Sequence, residues 1–456
     1  MTKPRVRPPR PVRPPVPPRP RRRLPPRPSL HILPAVPPSA PGSLPPSVVL
    51  RGMRMSVADG VFSQLFLTLT TGSFVTALAL FMGANDLLLG LISVLPVVTG
   101  LLQLPAAWLV ERSGKRRAIT VWASLGRLLW LVPAALLFVP ISTGWRLGLA
   151  VTAMTLSLAL LAISTNAWLS WMSDLIPPTL RGRFFGTRNT VLALVGLATI
   201  PAGGALLDFA RGAHYTDLGF LTLYAVATVA AAVSTLFVSR QPEPPFQRAV
   251  SRGFGALLRA PWRDRPFRSF VFTMALWGMG VNVGTAFFSA QALKVLHVSY
   301  SQLATLDMTT VGVTLLTQPL WGRWADRVGH RRVLTVGLVG ASPLALTWLL
   351  ITPDNLWLLY LNNVLAGIFW PALNLSLGNR LMERAPAAGR AGYMAIYWAF
   401  TGVVAFVASI SGGVLANALA GGQYALGPLT LNHYQVLFLL AGLIRVGTAV
   451  FRRRTL

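Results

Sequence analysis

Acids are the scarce residues of this chain: 12 Asp and Glu stand against 41 Lys and Arg in 456 residues. Where they fall therefore matters. Asp59 stands at the start of the first apolar run, and Asp307 lies near the outer end of the eighth. A carboxylate in either place can take up a proton or hold a coupling cation, although Asp59 also reads as a helix N-cap. Arg127 follows Arg117 by ten positions, so on a helix it sits roughly 15 Å in, too deep for its guanidinium to snorkel out. It is the one charge placed that deep; Arg445 lies close enough to its helix end to snorkel. Arg127 must face a wet cavity, where it attracts an anionic or carboxylate-bearing solute, or bond carbonyls of a neighbouring helix. Cysteine is absent and only five His occur. With no P-loop, no HExxH and no metal-ligand spacing, there is no material for disulfides, ATP hydrolysis or metalloenzyme chemistry in this chain. No catalytic residue, no metal and no cofactor is expected.

The elements that must position these groups are apolar. Of all residues 53% are hydrophobic and 12% charged, with a mean hydropathy of +0.57, whereas a soluble protein carries roughly a quarter charged residues. Apolar stretches of about twenty residues, the length that crosses a bilayer as a helix, recur at 58–82, 86–110, 118–139, 147–172, 187–207, 217–239, 268–292, 302–322, 333–352, 356–378, 393–416 and 432–451. The fold class is an all-α polytopic membrane protein of about twelve transmembrane helices.

The net charge of +29 is not a nucleic-acid footprint, because it is spread through one set of loops. That set holds Arg112 to Arg117, Arg181 to Arg183, the 240–269 segment, Arg323 to Arg332, Arg380 to Arg390 and Arg452 to Arg454; the alternate set holds only Arg146, Arg211 and Lys294. The positive-inside rule then puts both termini in the cytoplasm. Residues 1–54 carry twelve Lys or Arg and no acid, and eighteen of the 36 prolines fall in residues 1–50. Such density predicts an extended Pro/Arg-rich cytoplasmic tail, suited to anionic headgroups or to a Pro-binding domain. Met53 and Met55 stand near the first span as alternative starts.

The two halves repeat. An offset of 215 lays Gln103, Ala107, Glu111, Arg112, Gly114, Arg116 and Arg117 on Gln318, Gly322, Asp326, Arg327, Gly329, Arg331 and Arg332. An offset of 209 lays Asp174, Pro177, Arg181, Gly203 and Gly204 on Glu383, Pro386, Arg390, Gly412 and Gly413. This predicts parallel six-helix bundles at 55–240 and 268–456, joined by a cytoplasmic linker at 241–267, after a tail at 1–54. Gly203 and Gly204 read as small residues that let helices approach closely.

The segment Gly322-Arg323-Trp324-Ala325-Asp326-Arg327-Val328-Gly329-His330-Arg331-Arg332 resembles the signature loop of the major facilitator superfamily (MFS). The copy from Ala107 to Arg117 differs in carrying Ala for the leading Gly and Glu for Asp. The resemblance implies a secondary transporter, a permease working by rocker-switch alternating access on a small-molecule substrate, with efflux as one direction and a proton or ion as coupling partner. Glu111, Arg112, Gly114, Arg116, Arg117, Gly322, Asp326, Arg327, Gly329, Arg331 and Arg332 would then form the cytoplasmic gate, their acids accepting hydrogen bonds at a helix N-terminus. Spans 1, 4, 7 and 10 would line the central cavity. On them lie Gln64, Thr68, Thr70, Thr71 and Ser73, then Asn166 and Trp168, Trp277 and Asn282, and Trp370 and Asn374. The expected setting is the inner membrane of a bacterium, as a lipid-embedded monomer that binds no nucleic acid. Two other readings stay open: a lipid flippase or scramblase of the same fold, and a non-transporting receptor or assembly factor docked by its basic tail.

Overall fold

The computed structural model describes residues 44–244, 261–385, 390–427 and 429–451. Most of the tail, the middle of the linker and Arg452 to Arg454 lie outside the described residues.

In hydrocarbon every backbone N–H and C=O must bond within its own segment, so the apolar runs become helices. Their starts carry the residues that helix starts require. Pro46 and Pro178 stand at N1, where no N–H is missed. Asn85 accepts from the amide of Leu88 at 2.9 Å, Asp264 accepts from Phe267 at 3.1 Å, and Ser299 with Gln302 forms a capping box.

Span 1 is Pro46–Leu69 continued by Ser73–Phe81, bent by 44° at the break. The break falls on Gly72, whose φ of 62° suits glycine. Span 2 is Asp86–Gly100 followed by Gln103–Ser113. Span 3 runs Arg116–Phe138 and passes from α-helix into a 3-10 turn at Leu125–Trp130. Spans 4, 5 and 6 are Thr143–Leu175, Pro178–Gly212 and Thr216–Ser239. The second half repeats the order as Arg265–Lys294, Tyr300–Val328, His330–Leu349, Trp357–Arg384, Arg390–Ala418 and His433–Phe451. Span 9 switches to 3-10 at Ser342, as span 3 does at Leu125.

Nine helices among the described residues are long and apolar enough to cross a membrane, and the bent first span makes ten. The other two of the expected twelve are span 2, split at Leu101 and Leu102, and span 8, which Asp307, Gln318 and its threonines dilute. A two-stranded ribbon, Gln423–Leu426 against Leu429–Asn432, is an addition to the expected all-helical chain and sits before span 12.

Several helices begin well before their apolar runs, span 1 by twelve residues and span 5 by nine. Met53, offered above as a start, is fully buried inside span 1, packed with Val49, Trp171, Met172, Phe184 and Val238.

Successive spans run in opposite directions, so the described parts of the basic loops fall at one end of the bundle, here the basic end; the other is the far end. The halves meet along two seams, span 2 with span 11 and span 5 with span 8. Repeat-equivalent glycines form both. A Cβ on Gly204 would stand 2.9 Å from the carbonyl oxygen of Tyr300, and one on Gly413 would stand 3.2 Å from that of Asp86. Close approach is thus the structural use of the Gly-Gly pairs.

Candidate functional site

A cavity of about 230 Å³ opens within the first half, and spans 1, 3, 4, 5 and 6 contribute to its wall. Its ionisable residues are Asp59, Arg127 and Arg188. Asp59 is the fourteenth residue of Pro46–Leu69 and is buried. It is therefore no N-cap, and the expectation of a cytoplasmic helix start here is corrected: the helix begins a further three turns back. Ser234 donates to its Oδ1 at 2.5 Å, and Nη2 of Arg188 stands 4.0 Å from its Oδ2.

Arg127 lies in the 3-10 turn of span 3 and is 4% exposed. Its Nη1 donates to Ser234 at 2.9 Å and to Ser63 at 3.3 Å, so hydroxyls hold it in place of the carbonyls considered above. Its Nε is buried and has no partner among the described residues. Arg127 is also not the single deep charge. Arg188 lies ten residues inside Pro178–Gly212, with its guanidinium 4.7 Å over the ring of Trp168. Sequence reasoning missed it because the apolar run starts only at 187. Arg445 does not snorkel either: it is 3% exposed and donates from Nε to the carbonyl of Gly280 at 3.1 Å and from Nη2 to that of Val281 at 3.4 Å.

The uncharged candidates divide. Gln64 lines the cavity beside Trp168 and donates to Thr68 at 3.2 Å. Thr71 is exposed at the bend of span 1 and turns its hydroxyl back to the carbonyl of Leu67 at 2.7 Å; Thr70 does the same to Phe66. Asn166 is half-buried on span 4. In the second half Trp277 and Trp370 do meet, edge to face with centroids 5.3 Å apart, and Trp277 donates to Ser342 at 3.3 Å. Asn282 donates to its own helix at Gly278, and Asn374 is exposed. No described cluster of His, Asp and Glu could hold a metal ion.

Across the far end the halves are tied together. Asp208 of span 5 accepts from the amides of Tyr300 and Ser301 at 3.0 and 2.7 Å, capping span 8. Asp86 of span 2 accepts from Tyr434 at 2.7 Å and pairs with Lys294 and His433 at 3.5 and 3.4 Å. Ser73 donates to Asp307 at 2.6 Å, and Ser409 meets Ser93 at 2.8 Å. Asp307, at the eighth position of its helix, is thus bonded across the two halves.

The sequence profile described as Major Facilitator Superfamily matches residues 60–306 and again 282–454. The chain belongs to the major facilitator superfamily. Solved members share the architecture at low identity. A variant of the nucleoside transporter NupG superposes with a TM-score of 0.69 at 12% identity, covering 89% of this chain and 99% of that one. A D-xylose–proton symporter gives 0.65 at 15%, covering 89% and 96%, and a bacterial homologue of the iron transporter ferroportin in an inward-facing state gives 0.62 at 10%, covering 89% and 99%. A stretch of 51 residues is 47% identical to the class E tetracycline resistance protein of Escherichia coli; it spans 11% of this chain and 12% of that relative.

In the superfamily's signature loops Gly114 and Gly329 end their helices at φ of 67° and 85°. Arg116 is fully buried: it is paired with Asp174, stands 3.9 Å from Glu243, and donates to the carbonyl of Pro244 at 2.8 Å. The amide of Arg117 donates to Glu243 at 3.1 Å. In the second copy Asp326, Arg327, Arg331 and Arg332 are exposed, as is Arg112 in the first. The side chain of Glu111 lies outside the described residues. A Cβ on Gly322 would meet no atom within 4 Å, so in this conformation the leading Gly is not held by packing.

Proposed function

We propose that this chain is a secondary transporter that moves a small organic solute across a bacterial inner membrane by alternating access, running as an efflux permease. The observation that carries the reading is the set of bonds that joins the halves at the far end. Asp208, Asp86, Ser73 and Ser409 bridge them at the far end. At the basic end the described bonds of Arg181 run within the first half, those of Arg116 to Asp174 and to Pro244 of the linker, and those of Arg380 and Arg384 to Glu383 and Pro266. A bundle held by such ties, which must break before the far end can open, is one of the two states that alternating access requires.

The positive-inside rule makes the basic end cytoplasmic, with both termini there, so the tied state is inward-facing. Rocking would break the far-end ties and bring the loops of Glu111 to Arg117 and Gly322 to Arg332 together as the cytoplasmic gate. Gln64, Arg127, Asn166, Trp277, Asn282, Trp370 and Asn374 are then the substrate-side candidates. Asp59 and Asp307 are the candidates for a coupling proton, since ionisable groups inside spans are retained for function. Thr71, turned onto its own helix, falls to a structural role at the bend. The match to a tetracycline resistance protein supports removal of an organic solute from the cell. Both halves reside in one chain, so the working unit is the monomer in lipid.

Cysteine is absent, so single-cysteine variants report accessibility without background. Thr165→Cys, exposed beside the cavity, is expected to react with an impermeant maleimide from the cytoplasmic side. Ser289→Cys, beside Ser73 at the far end, is expected to react from the outside only when the halves rock. Proteoliposome flux of tetracycline and of anionic, cationic and neutral lipophilic solutes, with and without a pH gradient, completes the test. No solute moving faster than in protein-free liposomes, with both cysteines fixed in reactivity, would falsify the proposal.

A further inference from the structure

The cavity inside the first half carries one uncompensated positive charge, since Arg127 and Arg188 share a single carboxylate, Asp59. We infer that it is a binding site for a compact aromatic monocarboxylate, with Arg188 and Trp168 as its principal ligands. This deepens the transport reading above by naming a substrate class, but the site stands on its own geometry. Every residue that lines it belongs to the first half.

Charge selects a monoanion. An unpaired cation held away from water is unfavourable, and one negative charge restores neutrality where a dianion would overshoot. Donor geometry selects a carboxylate. Among the described residues Arg188 donates only from Nε, to the carbonyl of Ser56 at 3.2 Å. Its Nη2 stands 4.0 Å from Asp59, beyond hydrogen-bond reach, so the outer face of a planar fork made for carboxylates remains to be used. Trp168 adds an indole Nε1–H that is buried with no partner, and Arg127 adds an equally unpartnered Nε–H. Unmade bonds from buried donors are costly, and two of them, Nε1–H of Trp168 and Nε–H of Arg127, belong to residues that line this cavity and have no partner among the described residues.

Size and wall select the rest of the molecule. About 230 Å³ is below the 300–1,000 Å³ of a drug-sized site. Leu67, Leu161 and Leu192 also line the cavity, so a single ring has apolar wall to rest on. Gly60 makes room for the fork: a Cβ there would stand 2.8 Å from Nη2 of Arg188.

Asp59 is then the internal competitor of the ligand. Removing its charge and removing that of Arg188 should act in opposite directions, which a merely structural role does not produce.

The test is equilibrium binding of radiolabelled benzoate to the purified full-length protein in detergent. Benzamide, benzylamine and phenylphosphonate serve as competitors, with gel filtration and thermal melting as fold controls. Saturable benzoate binding is expected, displaced by none of the three as well as by unlabelled benzoate. Arg188→Gln should weaken it tenfold or more, Trp168→Phe about threefold, and Asp59→Asn should tighten it. Should Arg188→Gln not fold, Trp168→Phe and Asp59→Asn carry the test. Absence of saturable binding, or variants that move affinity in one common direction, overturns the site. A chain that moves solutes but ignores benzoate loses this site and keeps the transport reading. One that binds benzoate but moves nothing keeps the site and loses transport.

Discussion

The carboxylate of Asp208 caps the amide of Ser301 across the boundary between the halves, at 2.7 Å, with Tyr300 as the second donor at 3.0 Å. A helix N-terminus gathers unpaired N–H groups and the positive end of the macrodipole, so a carboxylate there is well placed. Arg211 keeps the pair company, 3.1 Å from Asp208 and 5.1 Å over the ring of Tyr300. The tie joins span 5 to span 8 and must break whenever the far end opens.

Asp208→Ala is therefore expected to favour the outward-open state. Loss of hydrogen bonds to a charged group on this scale is about 2 kcal/mol, roughly a thirtyfold shift in a two-state equilibrium. Reactivity of Ser289→Cys from the outside reads it. An unchanged labelling rate would show that Asp208 does not hold the far end.

Arg116→Ala should lower stability by about 3 kcal/mol, since it strips the buried partner from Asp174 and leaves the carbonyl of Pro244 without its donor. Thermal melting in detergent measures this. Arg116→Lys should recover only part of the loss, because an ammonium cannot reach Asp174 and Pro244 together in the fork geometry.

Arg445→Met is expected to leave stability within about 1 kcal/mol, as removing a buried ion for an apolar side chain of similar length often does. The guanidinium rests on two carbonyls of its own half, and both can keep their helical bonds. A large loss of melting temperature would assign Arg445 a structural task that these contacts do not reveal.

Gly322→Ala separates packing from gating. With open space at the Cβ position, the exchange should raise melting stability by up to ~1 kcal/mol through helix propensity. Flux should fall nonetheless, if the signature loops close on each other in the opposite state. Unchanged flux removes Gly322 from the gate.

Asp307→Asn keeps a bond to Ser73 while removing the ionisable group. Flux driven by a pH gradient should collapse, whereas downhill flux without a gradient persists. Equal loss of both would mark Asp307 as part of the tie between the halves and not of coupling.

The run of apolar stretches was enough to read the architecture, and the repeated loops were enough to pair the halves. Helix starts were not legible in the same way. A hydropathy window senses the thickness of hydrocarbon, but the helices of spans 1 and 5 go on past it to Pro46 and Pro178 among polar residues. From the apolar run alone Asp59 reads as a cap as well as a coupling candidate, and Arg188 does not stand out. Both are interior residues of one cavity. The reach of Arg445 was misjudged for a related reason: distance to the helix end measures only whether a side chain can leave. Carbonyls of Gly280 and Val281 within reach made staying the better solution. The sequence places Trp277 and Trp370 on spans 7 and 10, but their edge-to-face contact is visible only in the fold.

The bend at Thr70 to Gly72 divides the first helix into two rods with separate loyalties. The lower rod carries Asp59, Ser63 and Gln64 on the wall of the charged cavity. The upper rod, starting at Ser73, is moored to Ser289 and Asp307 of the opposite bundle. A single glycine with positive φ is the elbow between them. The wall of the chamber at Asp59 and the mooring at Ser73, fourteen residues on, thus belong to one helix with a hinge between them, and whatever the hinge transmits reaches the seal along a single backbone.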